Sequence, residues 1–451
     1  MKRGDIIRVH IDCLTPDGTG CAVTMGHELR IKGVLPGDEA DVLVLAVRRN
    51  TARVKLLSLV SCGIPRIQPQ CPHFAVCGGC KWQDVPYSSQ CQIKAELVKT
   101  SLNNVHGMEP VEHIDIVPSP DVFFYRNKME FTFDSPPSAM GKVIIGLHVA
   151  EKFDRVFDLR CCLLQSELSN KVVEFTREFV QEHRQTAYGL KTHEGLLRFL
   201  VIRDGKNTGE IMINCVTSGE EFDRAVNYAE RIVREVQGVT TVIRSINRSY
   251  GSVAYGEERE ILYGDGVLRE RIGDFTFIIS PDSFFQTNPH QTKKLYDTIK
   301  EFSGLTGSEN LLDLYCGTGT IGIYLSGYAR LVTGVEMAES SISDARINAE
   351  RNGVTNIKFI SGQVENIIDE TMGDFDVVIC DPPRAGIHPK ALNQLLRMRI
   401  PRMVYVSCNI KAMANDLEMF AMAGYHRKDI LVLDMSPHTP HIETVVLLEI
   451  V

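Results

Sequence analysis

Apolar and polar positions alternate with period two through the first 60 residues, in IIRVHI, CAVTMG, ELRIKGVL, EADVLVLAV and ARVKLLSLV. Turns rich in Gly, Pro and Asp separate these runs (TPDGTG, MGHE, LPGDE). Five short strands at this spacing predict a small OB-like β-barrel over residues 1–60. CGIPRIQPQ, with two prolines and little periodicity, reads as a linker. SSQCQIKAELVKTSLNNV has helical spacing, with Ser88 or Ser89 as N-cap and Ile93, Leu97 and Leu102 near one face. From about residue 123 the pattern mixes strands (KMEFTF, KVIIGLHV, LLRFLVIR, EIMINCVT, TTVIRSIN) with a helix in FDRAVNYAERIVREV. An α+β central domain is therefore expected over 61–280, and its helix near 88–105 can pack on the domain that follows. Residues 281–451 alternate helices with strands that are apolar on both faces, among them NLLDLY, LVTGVE, FDVVIC and RMVYVS. That alternation predicts a doubly wound, Rossmann-like α/β domain.

Composition narrows the function classes. Hydrophobic residues make up 44% of the 451 and charged residues 24%, which argues against extended disorder. The formal charge of −8 gives no global attraction for a polyanion, so a nucleic-acid site must come from a local patch. Residues 1–60 hold nine Lys/Arg against seven Asp/Glu, which suits a nucleic-acid platform and equally a solvated surface. No apolar run reaches the roughly 18 residues that span a bilayer, and the N-terminal stretch has no continuous apolar core. A cytoplasmic protein without membrane contact is expected.

Thirteen cysteines are many for such a protein. In a reducing compartment, clustered thiols point to a metal or to catalysis before disulfides. One close cluster exists, Cys71-x5-Cys77-Gly-Gly-Cys80, with Cys161-Cys162 as the nearest source of a fourth ligand. Spacing alone leaves a four-cysteine zinc site and a cubane [4Fe–4S] cluster evenly matched.

Ligands of doubly wound sheets sit outside the carboxyl ends of the strands. Four motifs lie at or beside those ends. In Asp313-Leu-Tyr-Cys-Gly317-Thr-Gly319-Thr-Ile a strand runs into a glycine turn that opens a helix, and Glu336 ends the next strand, where an acid can hold a ribose diol. The glycine spacing is not G-x-G-x-x-G, which counts against NAD, and it resembles the S-adenosylmethionine loop of Rossmann-fold methyltransferases. Gln363 follows the next strand, where that fold usually has a polar residue for adenine. Asp381-Pro-Pro-Arg384 ends FDVVIC in a rigid loop whose carboxylate could meet a sulfonium or a substrate amide. Cys408, in Val406-Ser-Cys-Asn409, stands at a strand end where a thiolate could act as nucleophile. Glu443, in His438-Thr-Pro-His-Ile-Glu443, precedes the last strand and could be a general base.

In this order, DLYCGTGTIG, GVEM, DPPRAG, VSCN and HTPHIE resemble the RNA uracil-5-methyltransferase family. The family's S-P-x-S-F-x-Q-x-N segment is matched by Ser280 to Asn288. The N-terminal barrel is similar to a TRAM domain, and CPHFAVCGGCKWQ to the family's iron–sulfur loop. Together these features point to the ribosomal-RNA branch. The resemblance implies S-adenosylmethionine contacts at Gln286, Tyr315, Glu336 and Asp381, with Thr320 and Gln363 as weaker matches. It implies Cys408 as nucleophile and Glu443 as base. Cys71, Cys77 and Cys80 match cluster ligands, and Cys162 fits the fourth better than Cys161. Tyr315 stands where Phe is usual, and Thr320 where some members have Asn. The implied activity is methylation of a uridine C5 in 23S ribosomal RNA by a monomer. Other readings are a transfer-RNA uracil methyltransferase, a methyltransferase for exocyclic amines, which needs no cysteine, and a non-catalytic RNA-binding cluster protein.

Overall fold

A computed structural model describes residues 1–369 and 373–450. The first sheet runs in the order Ile6–His10, Glu39–Arg48, Thr51–Ser61, His27–Ile31, Gly20–Thr24, Cys13–Leu14. Its two edge strands are consecutive in the chain, and the Asp12 amide donates to the Cys21 carbonyl at 2.9 Å, so the sheet rolls up as a barrel. Val9, Ile11, Leu29, Ile31 and Val42 fill the interior. The two-residue strand Cys13–Leu14 was not among the five expected strands, because two residues are too few to show alternation.

The central sheet has seven strands, in the order Lys152–Asp158, Ile144–Val149, Lys128–Asp134, Leu197–Asp204, Ile211–Thr217, Val239–Ile246, Glu258–Tyr263. Helices Glu167–Glu182 and Ala225–Glu235 bury Val172, Phe179, Tyr228 and Ile232 against it. Glu258–Tyr263 is an edge strand exposed along most of its length, and its sequence carries little alternation to betray it. A hairpin, Leu268–Ile272 with Phe275–Ile279, leads into the last sheet.

That sheet is the Rossmann-like one, in the order Ile357–Ser361, Leu331–Glu336, Asn310–Leu314, Val377–Cys380, Arg402–Ser407, Glu443–Ile450, Tyr425–Leu433, Ile116–Val117. The first five are mutually parallel, and Glu443–Ile450 runs antiparallel to both neighbours. Ile116–Val117 is an edge strand supplied from well upstream in the chain. The helix Tyr87–Leu102 packs in the same core, with Ile93, Leu97, Val98 and Leu102 beside Leu417 and Phe420. It starts earlier than expected. Pro86 is its N-cap, and neither Ser88 nor Ser89 caps it. Pro86 stands just outside the helix at φ −52 and ψ 136, and no side chain accepts from the first-turn amides. Among the described residues no helix is long and apolar enough to cross a membrane.

Candidate active site

The parallel strands all open at one edge. Leu314 leads into Tyr315, which holds φ +61, an uncommon left-handed conformation for an aromatic residue. Gly319 follows at φ +75, and a Cβ there would lie 2.7 Å from the Phe359 ring, so only glycine lets the helix Thr320–Leu325 sit this close to the sheet. Glu336 ends the neighbouring strand and accepts from the Gly317 amide at 3.3 Å and the Ala338 amide at 2.9 Å. One cavity brings together Gln286, Tyr315, Thr320 and Asp381, with Tyr296 at its wall. The Thr320 hydroxyl is already engaged by the Tyr296 hydroxyl at 2.7 Å. Gln363 does not line this cavity. It is exposed at the start of Val364–Ile367, and its Oε1 accepts from Asn366 at 2.8 Å.

Cys408 and Glu443 are delivered by neighbouring antiparallel strands. Ser407 is the register partner of Thr444, so the residue after one and the residue before the other stand together at the open edge. Cys408 is exposed, while Glu443 is buried. Asn409 accepts from the amides of Lys411 and Ala412 and so caps the helix Ile410–Met422. Its own amide donates to the Arg384 carbonyl at 2.7 Å, which ties the Asp381-Pro-Pro-Arg384 loop to the cysteine.

The electrostatics follow from this crowding. Although Cys408 as a residue is exposed, the protein crowding its sulfur on one side partly desolvates it and pushes the thiol up, Glu443 and Asp381 add to the rise, and Arg384 opposes it by charge and hydrogen bond. Burial raises the Glu443 carboxyl well above the usual carboxylate range, Asp381 raises it further, and Arg384 opposes. Burial also pushes Asp381 up to about 7. Acids with raised pKa values clustered around a thiol at a sheet edge mark a site suited to moving protons near neutrality. Sequence reading gave no role to Arg384, Asn409 or Tyr296. The helix-capping pattern after Val406-Ser-Cys could have revealed Asn409. Nothing in the sequence showed that Arg384 turns toward the thiol.

A second cavity gathers the clustered cysteines. Cys71, Cys77, Cys80, Cys161 and Cys162 all line it, with His73 and Gln83. The Gly79 amide donates to the Cys77 sulfur at 3.4 Å, and burial pushes the Cys162 thiol up to about 11, against the pull of the Leu164 and Gln165 amides. Among the described residues, no group of three or more His, Cys, Asp or Glu is placed to hold a metal ion.

A sequence profile described as tRNA (Uracil-5-)-methyltransferase matches residues 263–451. An uncharacterized RNA methyltransferase of Halalkalibacterium halodurans is 36% identical over 453 residues, covering 100% of this chain and 98% of that protein. Another, from Chlorobaculum tepidum, is 36% identical over 99% of this chain and 97% of its own length. The crystal structure of Pyrococcus abyssi tRNA (uracil-54, C5)-methyltransferase in complex with S-adenosyl-L-homocysteine superposes with a TM-score of 0.78. It is 32% identical and covers 98% of this chain and 100% of its own. The likeness runs through barrel, central sheet and Rossmann-like sheet alike, and with the glycine turn and its cavity it makes this chain a member of the RNA uracil-5-methyltransferase family, an S-adenosylmethionine-dependent RNA methyltransferase.

Proposed function

We propose that the enzyme methylates C5 of a uridine in 23S ribosomal RNA through a transient bond between Cys408 and C6 of the base. The observation that carries the chemistry is the placement of Cys408 beside Glu443, next to the cavity that contains Asp381. Uracil C5 is a poor nucleophile. Addition of the Cys408 thiolate at C6 places electron density on C5. Bound S-adenosylmethionine supplies an electrophilic methyl group on a sulfonium. Gln286, Tyr315, Glu336 and Asp381 hold that ligand, Thr320 adds a contact, and Gln363, outside that cavity beyond the strand end that pairs with Glu336, turns from Asn366 to serve its adenine. Once C5 has taken the methyl and the sulfonium has become a neutral thioether, Glu443 takes the C5 proton, the C5–C6 double bond re-forms, and Cys408 leaves as thiolate. A carboxylate with a raised pKa is the stronger base, and such a group contributes about 10²–10⁴-fold.

The barrel acts as a TRAM-type RNA-binding domain over 1–60, the central domain spans 61–280, and the catalytic domain spans 281–451. Cys71, Cys77, Cys80 and Cys162 hold a [4Fe–4S] cluster. The donor set supports this, because five thiols share one cavity and amides point at two of the sulfurs, although among the described residues the thiols are not drawn together around a metal. The enzyme acts in the cytoplasm as a monomer.

A second reading is a transfer-RNA substrate. It is favoured by the Pyrococcus abyssi tRNA (uracil-54, C5)-methyltransferase, whose match extends over the barrel as well, so a barrel by itself does not select ribosomal RNA. One experiment separates the two. Mapping 5-methyluridine in all stable RNA of a deletion strain should show a lost site in 23S ribosomal RNA, restored by the wild-type gene and not by Cys408→Ala. A site lost from transfer RNA alone establishes the second reading. Restoration by Cys408→Ala removes the cysteine from the chemistry.

A further inference from the structure

Residues 434–442 join the strands Tyr425–Leu433 and Glu443–Ile450, and so deliver Glu443 to the open edge of the sheet. Within the loop, the Ser436 amide donates to Asp434, the Thr439 hydroxyl to the Ser436 carbonyl and the His441 amide to the Thr439 hydroxyl, and its remaining anchors come from outside. The Lys94 ammonium donates to Asp434 at 2.6 Å and to the Ser436 carbonyl at 3.1 Å, and neither charged side chain has any exposure. Asn288 donates to the Met435 carbonyl at 3.3 Å, and the Tyr125 hydroxyl to the Pro437 carbonyl at 3.1 Å. Gln90 accepts from the His438 amide at 2.8 Å, and its Nε2 lies 3.2 Å from His438 Nδ1. The amides of Lys81 and Trp82, directly after Cys80, both donate to the His438 carbonyl, at 2.9 and 3.0 Å. Gly18 of the barrel touches the same loop, since a Cβ there would lie 2.7 Å from Pro440 Cβ.

His438 itself stands at φ +65. For a non-glycine residue this conformation is unfavourable and persists only where the surroundings dictate it. A buried ion pair such as Lys94–Asp434 adds little net stability, and its best-attested use is to fix one arrangement among several. A general base must reach its proton at hydrogen-bond distance, and a displacement of about 1 Å can cost about a hundredfold in rate.

We infer that Lys94 and Gln90, on the helix Tyr87–Leu102, are positioning residues for Glu443. They clamp the loop that carries it, and that loop is where the barrel and the cysteine segment reach the base. The inference rests on the reading of Glu443 as the base.

The test compares Gln90→Leu and Lys94→Met with wild type and with Glu443→Gln. Steady-state rates are measured on the RNA substrate, and protein–RNA adducts on denaturing gels. Mispositioning of Glu443 slows only removal of the C5 proton. Both variants should therefore keep KM for RNA within about twofold, lose about a hundredfold in kcat, and accumulate the adduct as Glu443→Gln does. Thermal unfolding checks that each variant folds. Gln90→Leu leaves the buried ion pair intact, so it carries the test if Lys94→Met does not fold. A folded Gln90→Leu with wild-type kcat, or with a raised KM and no adduct, overturns the clamp while an adduct in Glu443→Gln keeps the base. No adduct in Glu443→Gln overturns the base and the clamp together.

Discussion

The side-chain amide of Asn409 donates to the backbone carbonyl of Arg384 at 2.7 Å, while its oxygen caps the helix Ile410–Met422. One residue thereby fixes the loop that carries Asp381 against the loop that carries Cys408. Replacing it with Ala removes an N-cap, worth about 1 kcal/mol, and frees the two loops from each other. We expect Asn409→Ala to lower the melting temperature by a few degrees and kcat by at least about tenfold, from misplacement of nucleophile against substrate. A variant with the same modest loss of stability and unchanged kcat shows that the tie does not serve the chemistry.

The pH profile carries the second prediction. The reactive form of Cys408 is the thiolate. Burial, then Glu443 and Asp381, hold the thiol above its ordinary 9.0 in the free enzyme, against the pull of Arg384. A raised pKa leaves less thiolate at neutral pH, so kcat/KM should climb with pH through the neutral range and beyond 9. Arg384→Gln removes a cation that favours the thiolate. The rising limb then moves to higher pH, and kcat/KM at neutral pH falls by about tenfold for each unit of movement. Superimposable profiles for variant and wild type rule out this role for Arg384.

Much of this arrangement was legible because it rests on local pattern. The barrel strands alternate, the Rossmann strands are continuous apolar runs, and each candidate motif follows a strand, where side chains leave the core. Cys408, Asp381 and Glu336 could be placed at one sheet edge for that reason alone. What was not legible depends on distant pairing. The helix Tyr87–Leu102 gives no sign in its sequence that Lys94 meets Asp434, 340 positions away. The direction of the Arg384 side chain depends on a loop that Asn409 holds. Gln363 was placed by analogy with a fold, and its strand end lies beside Glu336 while its side chain bonds Asn366.

Asp313 offers a prediction about stability. It is fully buried, one oxygen accepts from the Gly322 amide at 3.0 Å, and burial pushes its carboxyl up to about 7 from an ordinary 3.8. The folded-state value lies above the unfolded one. Between about pH 4 and 7 the unfolded chain therefore ionises while the folded chain keeps its proton, and stability falls as pH rises, levelling off above 7. At about 1.4 kcal/mol per unit, the loss reaches about 4 kcal/mol. Asn at this position still accepts from Gly322 and does not titrate. Its unpartnered amide protons cost about 1–3 kcal/mol at every pH without changing the slope. The melting temperature of Asp313→Asn relative to wild type should thus rise from pH 4 to 7 and then stay level. A difference that is flat across that range means the carboxyl ionises normally in the fold.

The two adjacent cysteines separate what a cluster needs from what it does not. Cys162 is buried in the thiol cavity and its backbone is fixed by Asn170 on both sides; burial pushes its thiol up, and the amides of Leu164 and Gln165 oppose that rise. Cys161 lines the same cavity but is partly exposed. Cluster sulfurs are ordinarily supported by N–H donors, which stabilise the anionic thiolates and orient them. Protein purified without oxygen should be brown, with iron and sulfide in equal amounts. Cys162→Ser should lose colour and iron, as should Cys71→Ser, Cys77→Ser and Cys80→Ser, whereas Cys161→Ser should keep both. Zinc without visible absorbance decides for the four-cysteine zinc site. Loss of iron from Cys161→Ser with retention in Cys162→Ser exchanges the fourth ligand, and the amides around Cys162 then serve packing alone.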